Sequence, residues 1–250
     1  MGALVSALYS VFAYAVFLGS FLYAIGFVQN LIVPKTVDSG AVGELWPSLL
    51  INAACLGVFA VQHSLMARPG FKRVWTRFVP KFAERSTYVL FASLALILVF
   101  WQWRTLPQSV WSVSDAVWSN AIIALSWFGW AMVLVSTFLI SHFHLFGLSQ
   151  GFARLLKLEA ADDGTFVTPF LYRWLRHPIY AGFILAFWAA PEMSLGHIVF
   201  AVATTGYILI GIWFEERDLV AHFGTRYLAY REQVGMLFPR LPPRTKKRVA

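Results

Sequence analysis

Charge, cysteine and nucleotide-binding glycine motifs are all scarce in this chain, and each shortage excludes something. Asp, Glu, Lys and Arg make up only 13% of its 250 residues, about half the share in a soluble domain. So few ionic groups cannot wet a body that is 59% hydrophobic and carries 11 Trp and 23 Phe. An ordinary soluble enzyme and a disordered chain are both excluded. Cys55 is the single cysteine, so there is no disulfide framework, no C-x-x-C pair and no cysteine zinc site. No G-x-G-x-x-G follows a strand-like run, which removes a Rossmann-type nucleotide domain. Helix-turn-helix and ribonucleoprotein motifs are missing too, so the formal net charge of +8 does not point to nucleic acid.

What the chain has instead is apolar runs. A helix needs roughly 20 residues to cross about 30 Å of hydrocarbon. Six runs approach that length: 6–28, 47–65, 87–103, 121–140, 178–193 and 198–214. The first lacks the basic start and small-residue cleavage site of a signal peptide, so it reads as a span. The last two are short, which leaves five spans as the alternative, and only Met193 to His197 separates them. That connection predicts an antiparallel hairpin with arms of nearly equal length. The expected fold is an all-α polytopic bundle forming one membrane domain over 1–250.

Basic residues set the expected orientation. Of 20 Lys and Arg, 18 fall in segments 66–86, 141–177 and 215–250; only Lys35 and Arg104 lie in the alternate loops. The positive-inside rule puts those three segments and both termini in the cytoplasm, hence in an inner (cytoplasmic) membrane. The basic tail Arg244, Lys246, Lys247 and Arg248 reads as a solvated, lipid-seeking end. Segment 141–177 also carries His142, His144, Gln150 and the acidic turn Asp162-Asp163-Gly164, so a site would open on the same side.

One constellation carries chemistry. Arg176-His177-Pro178-Ile179-Tyr180 opens the fifth span, with Pro178 suited to a first helical turn. Glu215-Glu216 closes the sixth. A hairpin brings these ends together, so Arg176 and His177 should face Glu215 or Glu216. Basic and acidic residues at helix ends also snorkel and pair merely to fix register. Two adjacent carboxylates are costly there, however, unless cations partner them. Arg176 can partner one and leave the other for a ligand. Tyr172, Trp174, Tyr180, Trp188, Tyr207, Trp213 and Tyr227 spread aromatic faces through this region. Such faces beside a carboxylate can hold a desolvated cation.

The run Tyr172-x-x-x-Arg176-His177-Pro178-x-Tyr180-x-Gly182, then Glu215-Glu216-x-x-Leu219, then Phe223-Gly224-x-x-Tyr227-x-x-Tyr230 resembles the isoprenylcysteine carboxyl methyltransferase-like membrane superfamily. Within it, His142-Phe143-His144-Leu145-Phe146-Gly147-Leu148-Ser149-Gln150, Gln62-His63-Ser64-x-Met66-Ala67-Arg68 and Glu84-Arg85-Ser86-Thr87-Tyr88 resemble the bacterial methanethiol S-methyltransferases. Phe170 departs from the pattern, standing where such sequences have a glycine.

The resemblance implies S-adenosylmethionine as methyl donor and a small volatile thiol as acceptor, methanethiol giving dimethyl sulfide. The cofactor-binding and catalytic part would then be 141–240. Gln150, Tyr172, Arg176, His177, Tyr180, Glu215 and Glu216 become cofactor-pocket candidates. A small thiol is mostly protonated at neutral pH, so something must accept its proton. His142 is the first choice, with His63, Arg85 and Tyr88 as further catalytic candidates. Gln62, Ser64, His144 and Phe146 would line the substrate wall. His142 and His144 are two apart and cannot share a helical wall, so no helical metal site is expected. The bulky Phe143, Phe146, Phe170 and Trp188 would fill a lipid groove and favour a small substrate. Competing readings are a related carboxyl methyltransferase, an NADPH-dependent reductase, or a non-enzymatic haem or small-molecule carrier using His63 and His142.

Overall fold

The structure is a computed structural model describing residues 2–156 and 166–240. The acidic turn at 162–164 and the basic tail at 244–248 lie outside the described residues. Five helices are long and apolar enough to cross a membrane: α1 (Ala3–Gln29), α2 (Leu45–Ala67), α4 (Lys81–Gln102), α5 (Ala116–Leu139) and α9 (Leu195–Phe223). Shorter helices are α3 (Pro69–Trp75), α6 (His142–Leu145), α7 (Leu148–Leu156), α8 (Pro178–Trp188) and α10 (Thr225–Gln233). Strands β1 (Ser109–Ser112) and β2 (Glu192–Ser194) form a small antiparallel pair that the apolar pattern did not announce.

Of the six expected spans the fifth is not a helix of crossing length, which leaves five and corrects the expectation of equal hairpin arms. Helix α8 has 11 residues and α9 has 29, or about 16 Å against about 43 Å of axis. The difference is made up by extended chain. Pro191 disfavours helical backbone at Ala190, and the chain runs on into β2. Non-helical backbone near hydrocarbon must be satisfied within the protein. Here Trp111 Nε1 donates to Ala190 O at 3.0 Å, Val113 N to Pro191 O at 2.9 Å, and Leu195 N to Gln108 O at 2.7 Å. The start of α8 thereby still reaches the far part of α9. Helix α9 also continues past the expected end at 214, so Glu215 and Glu216 lie inside it.

Packing is close where side chains are small. Gly129 of α5 faces Gly182 of α8 so tightly that a Cβ on either would come within 2.7 Å of the other's helix backbone. Small residues at such crossings let helices pack without water or lipid between them. The apolar core is aromatic, with Phe27, Phe100, Trp103, Trp130, Phe187 and Phe200 all buried. Buried Asn52 donates to Arg104 O at 2.8 Å and accepts from Arg104 N at 2.7 Å, while the Trp130 indole N–H finds no acceptor among the described residues. Helix α7 lies along α1, and α2 packs against α4 and α9. The starts of α4 and α8 and the ends of α2, α5 and α9 thus gather on one side of the bundle.

Candidate active site

At that side the two expected ends meet. Arg176 Nε donates to Glu216 Oε1 at 2.7 Å, and His177 Nε2 lies 3.2 Å from the same oxygen. Arg176 Nη1 also donates to Val234 O at 2.6 Å and Arg231 O at 3.1 Å. The guanidinium therefore locks α8, α9 and the segment after α10 into one corner. The backbone repeats the connection, with Arg176 N to Gly235 O at 2.8 Å and His177 N to Met236 O at 3.1 Å. Gly224, at φ 54° and ψ −129°, turns α9 into α10 through a conformation that essentially only glycine adopts.

The two carboxylates end up in different circumstances. The Glu216 side chain is 13% exposed and held by Arg176 and His177, with Arg231 Nη1 at 3.8 Å from its second oxygen. The Glu215 side chain is 43% exposed, accepts from Tyr180 OH at 2.8 Å and stands 3.9 Å from His177 Nδ1. Among the described residues its other oxygen accepts no hydrogen bond. One acid is spent on the corner, while the other keeps a free lone-pair face.

Tyrosines surround the pair. Tyr172 lies within electrostatic reach of Glu215, and Tyr227 within reach of both acids. Burial first and these carboxylates second push the phenols of Tyr172 and Tyr227 up, keeping them neutral. Burial also pushes the Tyr230 phenol up to about 12; Arg176 opposes that rise and Glu216 adds to it. Its hydroxyl donates to Tyr172 O at 2.5 Å. The buried Tyr227 hydroxyl has no partner among the described residues. Between α9 and α10 lies an open groove lined by Trp213, Glu216, Arg217, Val220 and Arg231; Glu215 is not part of its lining. This set of carboxylates, neutral aromatic faces, guanidiniums and an orphaned hydroxyl suits a ligand carrying a cation, an aromatic base and a carboxylate.

A second polar group sits deeper, where α2, α4 and α9 adjoin. Tyr88 OH lies 2.9 Å from His63 Nε2, and Ser64 Oγ lies 3.2 Å from Tyr207 OH. The Arg85 guanidinium is 5.2 Å from the centre of the Tyr88 ring and donates to Leu145 O at 2.7 Å. Gln62 Nε2 is 3.2 Å from Met66 Sδ, and the buried Gln62 Oε1 has no partner among the described residues. Tyr180 lies within electrostatic reach of both Tyr207 and Tyr88. No hydrogen bond joins Tyr180 to Tyr207 or Tyr88 among the described residues, so the two polar groups are neighbours rather than one connected chain.

His142 lies elsewhere. It is buried, with Nε2 2.8 Å from Tyr14 OH and Nδ1 2.8 Å from Thr137 Oγ1. Thr137 Oγ1 gives its own proton to Leu134 O at 2.7 Å. It must then accept from Nδ1–H, which leaves the Nε2 lone pair to the Tyr14 hydroxyl. Burial pushes this imidazole down, towards the neutral form that both bonds require. The ring stacks on Phe138 at 4.3 Å. This is a fully committed packing histidine, with no lone pair left for a thiol proton.

The rest of segment 142–150 braces that wall. Phe146 stacks on Phe17 at 3.8 Å and packs against Met66 and Tyr88. Gln150 Nε2 donates to His144 O at 3.2 Å. No contact of Gln150 with Glu215 or Glu216 is seen among the described residues. Phe143 and Phe170 are 52% and 63% exposed. They do not fill an internal groove, which corrects that expectation. Phe170 sits at φ +36°, in the left-handed region where a glycine is at ease.

Three contributors were missed in the sequence: Arg217, Arg231 and the placement of Tyr207. A signal existed for Tyr207, since Tyr207, Phe214 and Asp218 fall on one face of α9. That face meets α2, where Arg68 pairs with Asp218 at 3.0 Å and lies 4.8 Å from the Phe214 ring centre.

The isoprenylcysteine carboxyl methyltransferase (ICMT) family model matches residues 129–221, which hold the start of α8, both carboxylates and Tyr207. The bundle and its polar corner thus define an integral membrane methyltransferase. Methanethiol S-methyltransferase of Mycobacterium tuberculosis is 53% identical over 93% of this chain and 95% of its own. Methanethiol S-methyltransferase 1 of Bradyrhizobium diazoefficiens is 52% identical over 94% of this chain and 82% of its own, and the Pseudomonas deceptionensis enzyme is 50% identical over 95% and 90%. The chain belongs to the methanethiol S-methyltransferase family. No solved structure matches it.

Proposed function

We propose that the enzyme transfers the methyl group of S-adenosylmethionine to a small thiol, converting methanethiol to dimethyl sulfide and also accepting hydrogen sulfide. The observation carrying this reading is Glu215, a half-exposed carboxylate that accepts from Tyr180, lies within electrostatic reach of Tyr172 and Tyr227, and keeps one oxygen free of hydrogen bonds among the described residues. When bound, S-adenosylmethionine supplies a methyl carbon activated by a sulfonium. Glu215 accepts hydrogen bonds from the donor's ammonium or ribose hydroxyls, and the tyrosine faces accommodate the positive sulfur. Arg217 and Arg231 offer guanidiniums for its carboxylate. Arg176, His177 and Glu216 hold the corner rigid, so the reacting groups are aligned before they meet.

On the acceptor side His63 and Tyr88 are the groups available to receive the thiol proton. Neutral His63 can take it, and Tyr88 orients the ring. The deprotonated sulfur would then be held in line with the methyl group that the donor would supply, the donor leaving as a neutral thioether, so that opposite charges would be lost. The surrounding Phe59, Phe146 and Tyr207 keep the space weakly polar, which favours that loss of charge. The basic bias of 66–86, 141–177 and 215–250 supports a site on the cytoplasmic side of an inner membrane.

The test incubates purified protein with labelled S-adenosylmethionine and a panel of volatile thiols, with headspace detection. Labelled dimethyl sulfide from methanethiol is expected. Absence of a volatile thioether with every thiol overturns the proposal.

A further inference from the structure

Tyr207 is the residue shared by the two halves of the site. Its hydroxyl lies 3.2 Å from Ser64 Oγ, and its ring meets Phe59 edge-on at 6.0 Å and His63 at 6.4 Å. It is also within electrostatic reach of Tyr180, the tyrosine that donates to Glu215. A hydroxylated ring in the apolar span of α9 is costly unless its polar end is used. The Ser64 contact is long and neutral, and either hydroxyl can be the donor. Rotation of the Tyr207 O–H away from Ser64 therefore costs little and frees a donor beside His63.

We infer that Tyr207 is the specificity-determining residue of the thiol chamber, its hydroxyl orienting the acceptor sulfur and its ring setting the largest alkyl group admitted. The inference rests on the reading of the chain as a thiol methyltransferase. The hydroxyl donates a hydrogen bond to one sulfur lone pair and leaves another directed at the methyl carbon. No bond to Tyr207 forms or breaks, because the thiol proton goes to His63. The ring, held edge-on between Phe59 and His63, closes the space beyond the sulfur. An alkyl chain longer than methyl would have to displace it, and excess methylenes are rejected by such walls about 10- to 200-fold each.

The test compares kcat/KM for methanethiol, ethanethiol and propanethiol in wild type, Tyr207→Phe and Tyr207→Ala, with S-adenosylmethionine affinity measured in parallel. Tyr207→Ala is expected to raise the propanethiol-to-methanethiol ratio at least about tenfold. Tyr207→Phe keeps the wall, so it should lower kcat/KM for all three thiols and leave their ratio unchanged. Donor affinity should be unaltered in both, which also shows that the variants are folded. A Tyr207→Ala enzyme with the wild-type thiol ratio overturns this inference alone, as does loss of donor binding in the milder Tyr207→Phe. Wild-type protein that methylates no thiol overturns the underlying reading, and the inference falls with it.

Discussion

The molecule has two histidine–carboxylate clusters, one at each end of its long helices, and they are built for different ends. At the far end, Ser194 Oγ donates to Asp38 Oδ1, Asn30 Nδ2 donates to Oδ2 at 2.6 Å, and His197 Nδ1 is 3.8 Å from Oδ2. His197 Nε2 is fixed to Phe187 O at 2.9 Å, and the residue is 1% exposed. Both carboxylate oxygens are spent within the chain. At the Arg176 end there is one carboxylate more than the corner needs, with tyrosines around it. Ion pairs alone do not distinguish a clasp from a binding site; a surplus, half-exposed partner does.

Breaking the binding cluster should cost most. Arg176→Ala leaves Glu216 without its main partner, and removing one member of a buried pair typically costs about 3–5 kcal/mol. Activity should be lost and the melting temperature should drop, as seen by headspace assay and thermal unfolding in detergent. Asp38→Asn should act on the clasp only. Stability should fall by about 1–2 kcal/mol, while kcat/KM of the folded enzyme stays at the wild-type value. Burial acts to raise the Asp38 carboxyl, but His197, Ser194 and Asn30 together hold it below the usual carboxylate range. A depressed acid stabilises the fold above its ordinary value and stops doing so as pH falls through the folded one. Wild-type unfolding should therefore show a loss below about pH 4 that Asp38→Asn lacks.

Two smaller effects sharpen the contrast between structural and reactive positions. Phe170→Gly should gain up to about 1 kcal/mol, because a positive φ no longer opposes a Cβ. The exposed Phe170 ring loses little in exchange, and thermal unfolding would register the gain. His142→Asn should leave the pH dependence of turnover unchanged between about pH 6 and 9. A flattened profile would return the proton-accepting role to that residue.

What could be read in the chain follows from range of interaction. Crossing-length apolar runs are local, so the long spans stand near their expected places. The meeting of Arg176 and His177 with Glu215 and Glu216 was also legible, because a short connection leaves few ways to fold back. The extended chain that follows α8 was not. Glu192–Ser194 becomes a strand only because Ser109–Ser112, some 80 residues earlier, pairs with it. The surroundings of His142 were hidden for the same reason. Its partner Tyr14 is 128 residues away, and no spacing around the histidine announces that bond. Tyr207 looked like one aromatic among many until α2 was placed beside α9.

The claim on which the rest stands is that Glu215, not Glu216, is the acid left for the methyl donor. Equilibrium binding of labelled S-adenosylmethionine to Glu215→Gln and wild type, in the absence of thiol, tests it most directly. Loss of a charged hydrogen-bond acceptor of about 1.5–3 kcal/mol predicts affinity weaker by roughly tenfold to a hundredfold, with unfolding unchanged. Wild-type affinity in Glu215→Gln would contradict the account.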